Sequence, residues 1–153
     1  MQVTFTRIEE KGRLLVRWDA VRGTRIAVPG TLMGVGHGGA LPHDLGQYVI
    51  EAATGYELGF WGLLAKGATY KTTGRRRTKP GRAVIADHRA ELLESEQLAA
   101  RHLTAWSAGE TTPVTEALTR AQAQWDALGP GGRLRFTWPS PDGTVEPADA
   151  ATG

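Results

Sequence analysis

Residues 133–138 read RLRFTW, and this short run, arriving after a long helical middle, decides the fold. Leu134, Phe136 and Trp138 alternate with more polar neighbours, the period of two that places one set on each face of a strand. The chain opens on the same pattern. Residues 2–8, QVTFTRI, alternate in character; a turn at EEKG follows; and RLLVRW then puts Leu14, Val16 and Trp18 on one face. A third strand, RIAVP, ends at Pro29-Gly30. Such a meander leaves a strand edge unpaired, and the late strand is placed to cover it. The expectation is a four-stranded antiparallel sheet closed by both ends of the chain.

The middle is helical by spacing. Pro42 suits a first helical position and Gly55 a helix end, with Leu45, Val49 and Ala52 as the apolar stripe between them. YELGFWGLLAKG reads as a short apolar helix ending near Gly67, in which Gly59 and Gly62 permit close approach of another backbone. A loop from about Ala68 to Gly81 precedes a third helix, RAVIADHRAELLESEQLAARHLTAW, with a break placed near Ser95. Thr112-Pro113 opens a fourth, in which Val114, Leu118, Ala121, Trp125 and Leu128 keep helical spacing. Strands, then helices, then a returning strand indicate an α+β fold, with three or four helices on one face of a sheet of about four strands. Residues 1–138 form the expected single domain. Residues 139–153, with three acids and three prolines, read as a disordered acidic tail.

Composition narrows the chemistry. The absence of cysteine excludes disulfides, thiolate metal sites and a cysteine nucleophile, and fits a reducing compartment. No signal-peptide pattern opens the chain and no apolar run reaches the ~18–20 residues of a membrane span. The expected location is cytoplasmic, away from membranes. The net charge of +2 is uneven: residues 66–82 carry +7 with no acid, which leaves −5 elsewhere.

ALPHDLGQYVIEAATG, residues 40–55, is the richest stretch chemically. Helical geometry stacks His43, Gln47 and Glu51 in one polar stripe, flanked by Asp44. Zinc proteases use two histidines four apart as ligands and the acid after the first as general base. Here the first histidine is present, aspartate stands where glutamate is usual, and glutamine, a poor zinc ligand, replaces the second histidine. His43, Glu51 and the loop histidine His37 still make a candidate three-ligand site for a divalent metal such as iron, manganese or zinc. Alternatively, Asp44 orients His43 as a general acid/base, making these two the catalytic candidates. The plainer reading is a capped helix, with Asp44 favouring the helix dipole.

LPHDL…YVIE followed by GFWGLLAKGA resembles a group of small uncharacterised bacterial proteins that share an L-P-H-D-L helix and then a G-F-x-G-L apolar helix. The resemblance covers residues 41–68 and matches His43 and Asp44, whereas that group commonly has histidine in place of Gln47. It implies no particular reaction.

Other signals are weaker. GVGHGG matches the dinucleotide-binding glycine pattern at Gly34, Gly36 and Gly39, but follows an antiparallel strand rather than opening a βαβ unit. The basic stretch supplies Lys71, Arg75, Arg76, Arg77, Lys79 and Arg82 as candidate polyanion contacts, with a solvated connector as the plainer alternative. Arg13, Arg17, Arg133 and Arg135 would make the sheet's outer face basic. Arg82 and His88 stand in a spacing some helical ribonucleases use, and GFWGLL is read as a buried helix in preference to a lipid contact. The first functional expectation is an interaction or scaffold domain. A small enzyme built on His43 and Asp44, hydrolytic or proton-transferring, is the second, and a nucleic-acid or polyanion binder the third. Partners expected are therefore a protein or a polyanion.

Overall fold

The computed structural model describes residues 1–22, 26–29, 33–34, 41–70 and 78–148. β1 (Gln2–Glu10) and β2 (Arg13–Arg22) form a hairpin whose two-residue loop, Lys11-Gly12, has φ of 53° and 74°. Two left-handed residues make the tight turn whose twist suits paired strands. The register sets Phe5 opposite Trp18 on one side and opposite Leu134 of β5 (Arg133–Thr137) on the other. All these pairings are antiparallel, as are those of β3 (Ile26–Pro29) and β4 (Met33–Gly34) with β2. Strand order is β3-β2-β1-β5-β6, with β4 beside β2, so the first strand lies inside the sheet and the late strand covers its edge.

Five helices are described: α1 (His43–Thr54), α2 (Phe60–Ala65), α3 (Lys79–Asp87), α4 (Arg89–Ser107) and α5 (Pro113–Asp126). The α+β architecture holds, with more elements than the periodicity predicted. The long third helix is two, interrupted at His88 and not at Ser95, where no glycine or proline marks the break. Ser95 is buried within α4 and returns its hydroxyl to the Leu92 carbonyl at 2.7 Å. α3 also starts earlier than expected, because the Thr78 hydroxyl caps the Gly81 N–H at 3.0 Å. At α1, Pro42 is the N-cap itself and Gly55 ends the helix at φ 70°. α5 carries a capping box between Thr112 and Thr115.

The core lies where the alternation put it. Val3, Phe5, Val16, Trp18, Leu134 and Phe136 line one sheet face and are buried. Tyr48 of α1 and Trp61 of α2 pack onto it edge-on, Trp61 lying 5.7 Å from Phe5 and 4.8 Å from Trp18 between ring centroids. Each such aromatic pair adds about 0.5–1.5 kcal/mol beyond its buried area. The strip of apolar residues on α1 is a minimum, since every residue from Leu45 to Ala52 is buried.

The expectation of a disordered tail from residue 139 is corrected. Residues 144–146 form β6 (Thr144–Glu146), which extends the sheet beyond β5. Specific contacts outweigh the poor composition there. The Tyr48 hydroxyl donates to the Ser140 carbonyl at 2.9 Å, and the Gln124 amide to that of Gly143 at 2.9 Å. Gly143 fits against Leu134 and Phe136 so closely that a Cβ would lie 2.8 Å from the former. Residues 149–153 lie outside the described part. Among the described residues, no helix is long and apolar enough to cross a membrane.

Candidate functional site

His43 and Asp44 occupy the first turn of α1, His43 Nδ1 lying 3.6 Å from Asp44 Oδ1. The His43 side chain is 69% exposed and that of Asp44 24%. The Asp44 carboxylate, an acceptor for the imidazole N–H, raises the His43 pKa; partial burial opposes it, and the charges of Asp44 and Glu96 add to the rise. This is an open, solvated dyad on the helix's first turn.

The rest of the polar stripe turns inward. Gln47 and Glu51 are both buried, so of the polar stripe only His43 stays on the surface. Gln47 Nε2 donates to Glu51 Oε2 at 3.0 Å. The backbone N–H groups at the start of α2 then converge on the same carboxylate. Phe60 donates to Oε2 at 3.1 Å, and Trp61 and Gly62 donate to Oε1 at 2.9 Å and 3.5 Å. Burial raises the Glu51 carboxyl to about 7, against the pull of Gln47 and of the Trp61, Gly62 and Phe60 N–H groups.

The arrangement follows from the sequence of α2. Its N-cap is Gly59, which has no side chain to satisfy the first N–H groups. The acceptor has to come from elsewhere, and Glu51 supplies it. Gly59 makes the room, since a Cβ there would stand 2.5 Å from the carboxyl carbon. At Gly62 the close approach is to backbone, a Cβ meeting the Glu57 carbonyl oxygen. The other end of α2 is closed by an opposite charge: Arg22 Nη1 donates to the Leu64 carbonyl at 2.9 Å. A six-residue helix thus carries a carboxylate at its positive end and a guanidinium at its negative end. Its Trp61, Gly62, Leu63 and Leu64 are buried, which agrees with GFWGLL as a core helix.

This placement separates the metal candidates. Glu51 lies eight residues from His43, ~12 Å along the helix axis, and both its oxygens receive N–H groups. The proposed third ligand, His37, lies outside the described residues, as does most of GVGHGG. Among the described residues, no group of three or more His, Cys, Asp or Glu is placed to hold a metal ion.

Compared with known proteins, no family model, no curated protein and no solved structure matches this chain.

The remaining candidates divide similarly. Lys79 and Arg82 stand exposed in the first turn of α3, while Lys71, Arg75, Arg76 and Arg77 lie outside the described residues. The basic outer sheet face is largely compensated. Arg17 pairs with Asp19 at 3.3 Å, and Arg133 and Arg135 share Glu146 at 3.5 Å and 3.0 Å. Arg82 and His88 form no joint site, since His88 lies past the end of α3 with Nδ1 3.9 Å from Glu91.

Two arginines escaped the sequence reading. Arg22 is one; Arg7 is the other, with its Nη1 on the Trp125 carbonyl at 3.1 Å and its guanidinium 5.9 Å from the Trp125 ring. Both close helix C-termini from neighbouring strands, a tertiary relation that leaves no local signature. Glu51 left one: a single acid between Val49-Ile50 and Ala52-Ala53, upstream of a helix with no capping side chain.

Proposed function

We propose that this protein is a cytoplasmic interaction domain that works by binding, without catalysis. The observation that carries the reading is the use made of Glu51. The acid that a metal site on α1 would need is spent inside the core on the N-terminus of α2. What stays on the surface is the His43–Asp44 pair alone. The lack of cysteine supports a reducing location.

The test is the metal content of untagged protein purified without chelator, measured beside His43→Ala. Metal well below one equivalent in both samples is expected. Near-stoichiometric metal in the native protein that is lost in His43→Ala would overturn the reading and favour the enzyme alternative.

A second reading, polyanion binding, draws on α3. Lys79 and Arg82 are exposed where the helix dipole disfavours cations, and no acid occupies that turn. A bound phosphate would relieve both conditions. Affinity for generic DNA or RNA should then fall steeply with salt, and weaken in Lys79→Ala/Arg82→Ala. Binding unchanged by that double substitution would dismiss this second reading.

A further inference from the structure

α4 carries an organised exposed face. Every one of Arg89, Ala90, Leu93, Glu94, Glu96, Gln97, Ala100, Arg101 and Thr104 is exposed, while the intervening positions are buried or half-buried against the domain. With Ala90 and Gln97 as first positions of successive heptads, Leu93 and Ala100 fall at the fourth positions, and the four charges fall on the flanks. That is the spacing of a coiled-coil seam over about two heptads, with Leu93 as its one large apolar residue. Leu93, at 57% exposed, is the most exposed large hydrophobic residue described. It lies on an open surface shared with Ala90, Glu94, Gln97 and Arg101.

The flanking charges identify the occupant. In a parallel pair, each seventh position meets the fifth position of the following heptad in the partner helix, five residues further along the sequence. Here those pairs are Arg89 with Glu94 and Glu96 with Arg101, both of opposite sign. A two-fold axis doubles them, giving four complementary contacts. An antiparallel pair sets fifth positions against fifth and seventh against seventh, and no single register brings together both Glu94 with Arg101 and Arg89 with Glu96, so it offers at most two such contacts. Within the chain a spacing of five does not bring these partners together. Among the described residues none of the four forms an ion pair with a Lys or Arg, Asp or Glu; Glu94 lies beside the Tyr56 hydroxyl and Glu96 beside His43.

We propose that α4 is a self-association surface, and that two copies of this chain pair through it as parallel helices, Leu93 against Leu93 and Gln97 against Gln97. This rests on the binding-without-catalysis reading and names its partner. Two heptads lie at the small end of interface sizes, so the dimer forms weakly and with rising concentration. The polar Gln97 at the seam selects register at some cost in strength.

Sedimentation equilibrium of the full chain tests it. The expected result is a monomer–dimer equilibrium that Leu93→Glu abolishes while far-UV circular dichroism stays unchanged. Arg101→Glu should weaken association about tenfold, and adding Glu96→Arg should restore it. Because the chain has no cysteine, Ala100→Cys, which leaves Leu93 in place, reports orientation directly: in the parallel pair it cross-links to itself on mild oxidation, faster than Glu110→Cys at an exposed position beyond the end of α4. A monomer up to roughly millimolar concentration would overturn the proposal, as would a dimer indifferent to Leu93→Glu. Cross-linking no faster than that of Glu110→Cys would also overturn it. None of these outcomes touches the metal measurement, so self-association and the non-catalytic reading fail separately.

Discussion

Glu51 Oε1 accepts the backbone N–H of Trp61 at 2.9 Å, joining the last turns of one buried helix to the first turn of another. Together with Gln47 and the Phe60 and Gly62 N–H groups, it makes a polar knot inside an otherwise apolar core. Buried polar groups of this kind are costly to break from one side, because the partners left behind lose water as well as their bond.

Glu51→Ala should therefore destabilise the fold by about 3 kcal/mol, by stranding the α2 N–H groups and the Gln47 amide. Urea unfolding at neutral pH measures it. A loss under about 1 kcal/mol would mean that water or another side chain takes over the cap.

Stability should also depend on pH through this residue. Its carboxyl rises from 4.5 to about 7 on folding, so the folded state holds the proton more firmly than the unfolded chain. The contribution is fully present below the unfolded value and is lost as pH climbs through about 7, amounting to about 3 kcal/mol. His43 is raised as well, chiefly by Asp44, and adds a change of the same sign that solvent screening keeps small. Unfolding at about pH 5 and about pH 8 should show the native protein weaker at the higher value, and Glu51→Gln nearly flat. An equal slope in both proteins would assign the dependence to other groups.

Arg22→Met removes the guanidinium from the Leu64 carbonyl while keeping most of the side chain's volume. The expected cost is about 2 kcal/mol, with faster amide exchange at the end of α2. Exchange that speeds up evenly over the whole chain would argue against a local capping role.

Gly59 and Gly62 should respond differently to alanine. At Gly62 the added methyl meets the Glu57 backbone, which cannot swing aside, so about 3 kcal/mol is expected. At Gly59 it meets the end of a side chain. Gly59→Ala should displace the carboxylate, and combining it with Glu51→Ala should cost less than the sum of the two by about 1–3 kcal/mol. Strict additivity would show that Gly59 does not hold the space for Glu51.

The sheet was legible in the sequence because a strand buried on one face writes its burial with a period of two. Val16, Trp18, Leu134 and Phe136 announced which residues would share the core. Turn chemistry and helix caps at Gly55 and Thr112 were legible for the same reason, since each is settled by neighbours in the chain. The break at His88 and the last strand were not, because both depend on contacts with distant elements. The candidate site divides along the same line. That His43, Gln47 and Glu51 share one side of a helix is a property of helical spacing, fixed by the sequence alone. Which side meets water is not. Only the tertiary structure decided that Gln47 and Glu51 face inward, because α2 arrives with uncapped N–H groups whose desolvation a buried carboxylate offsets.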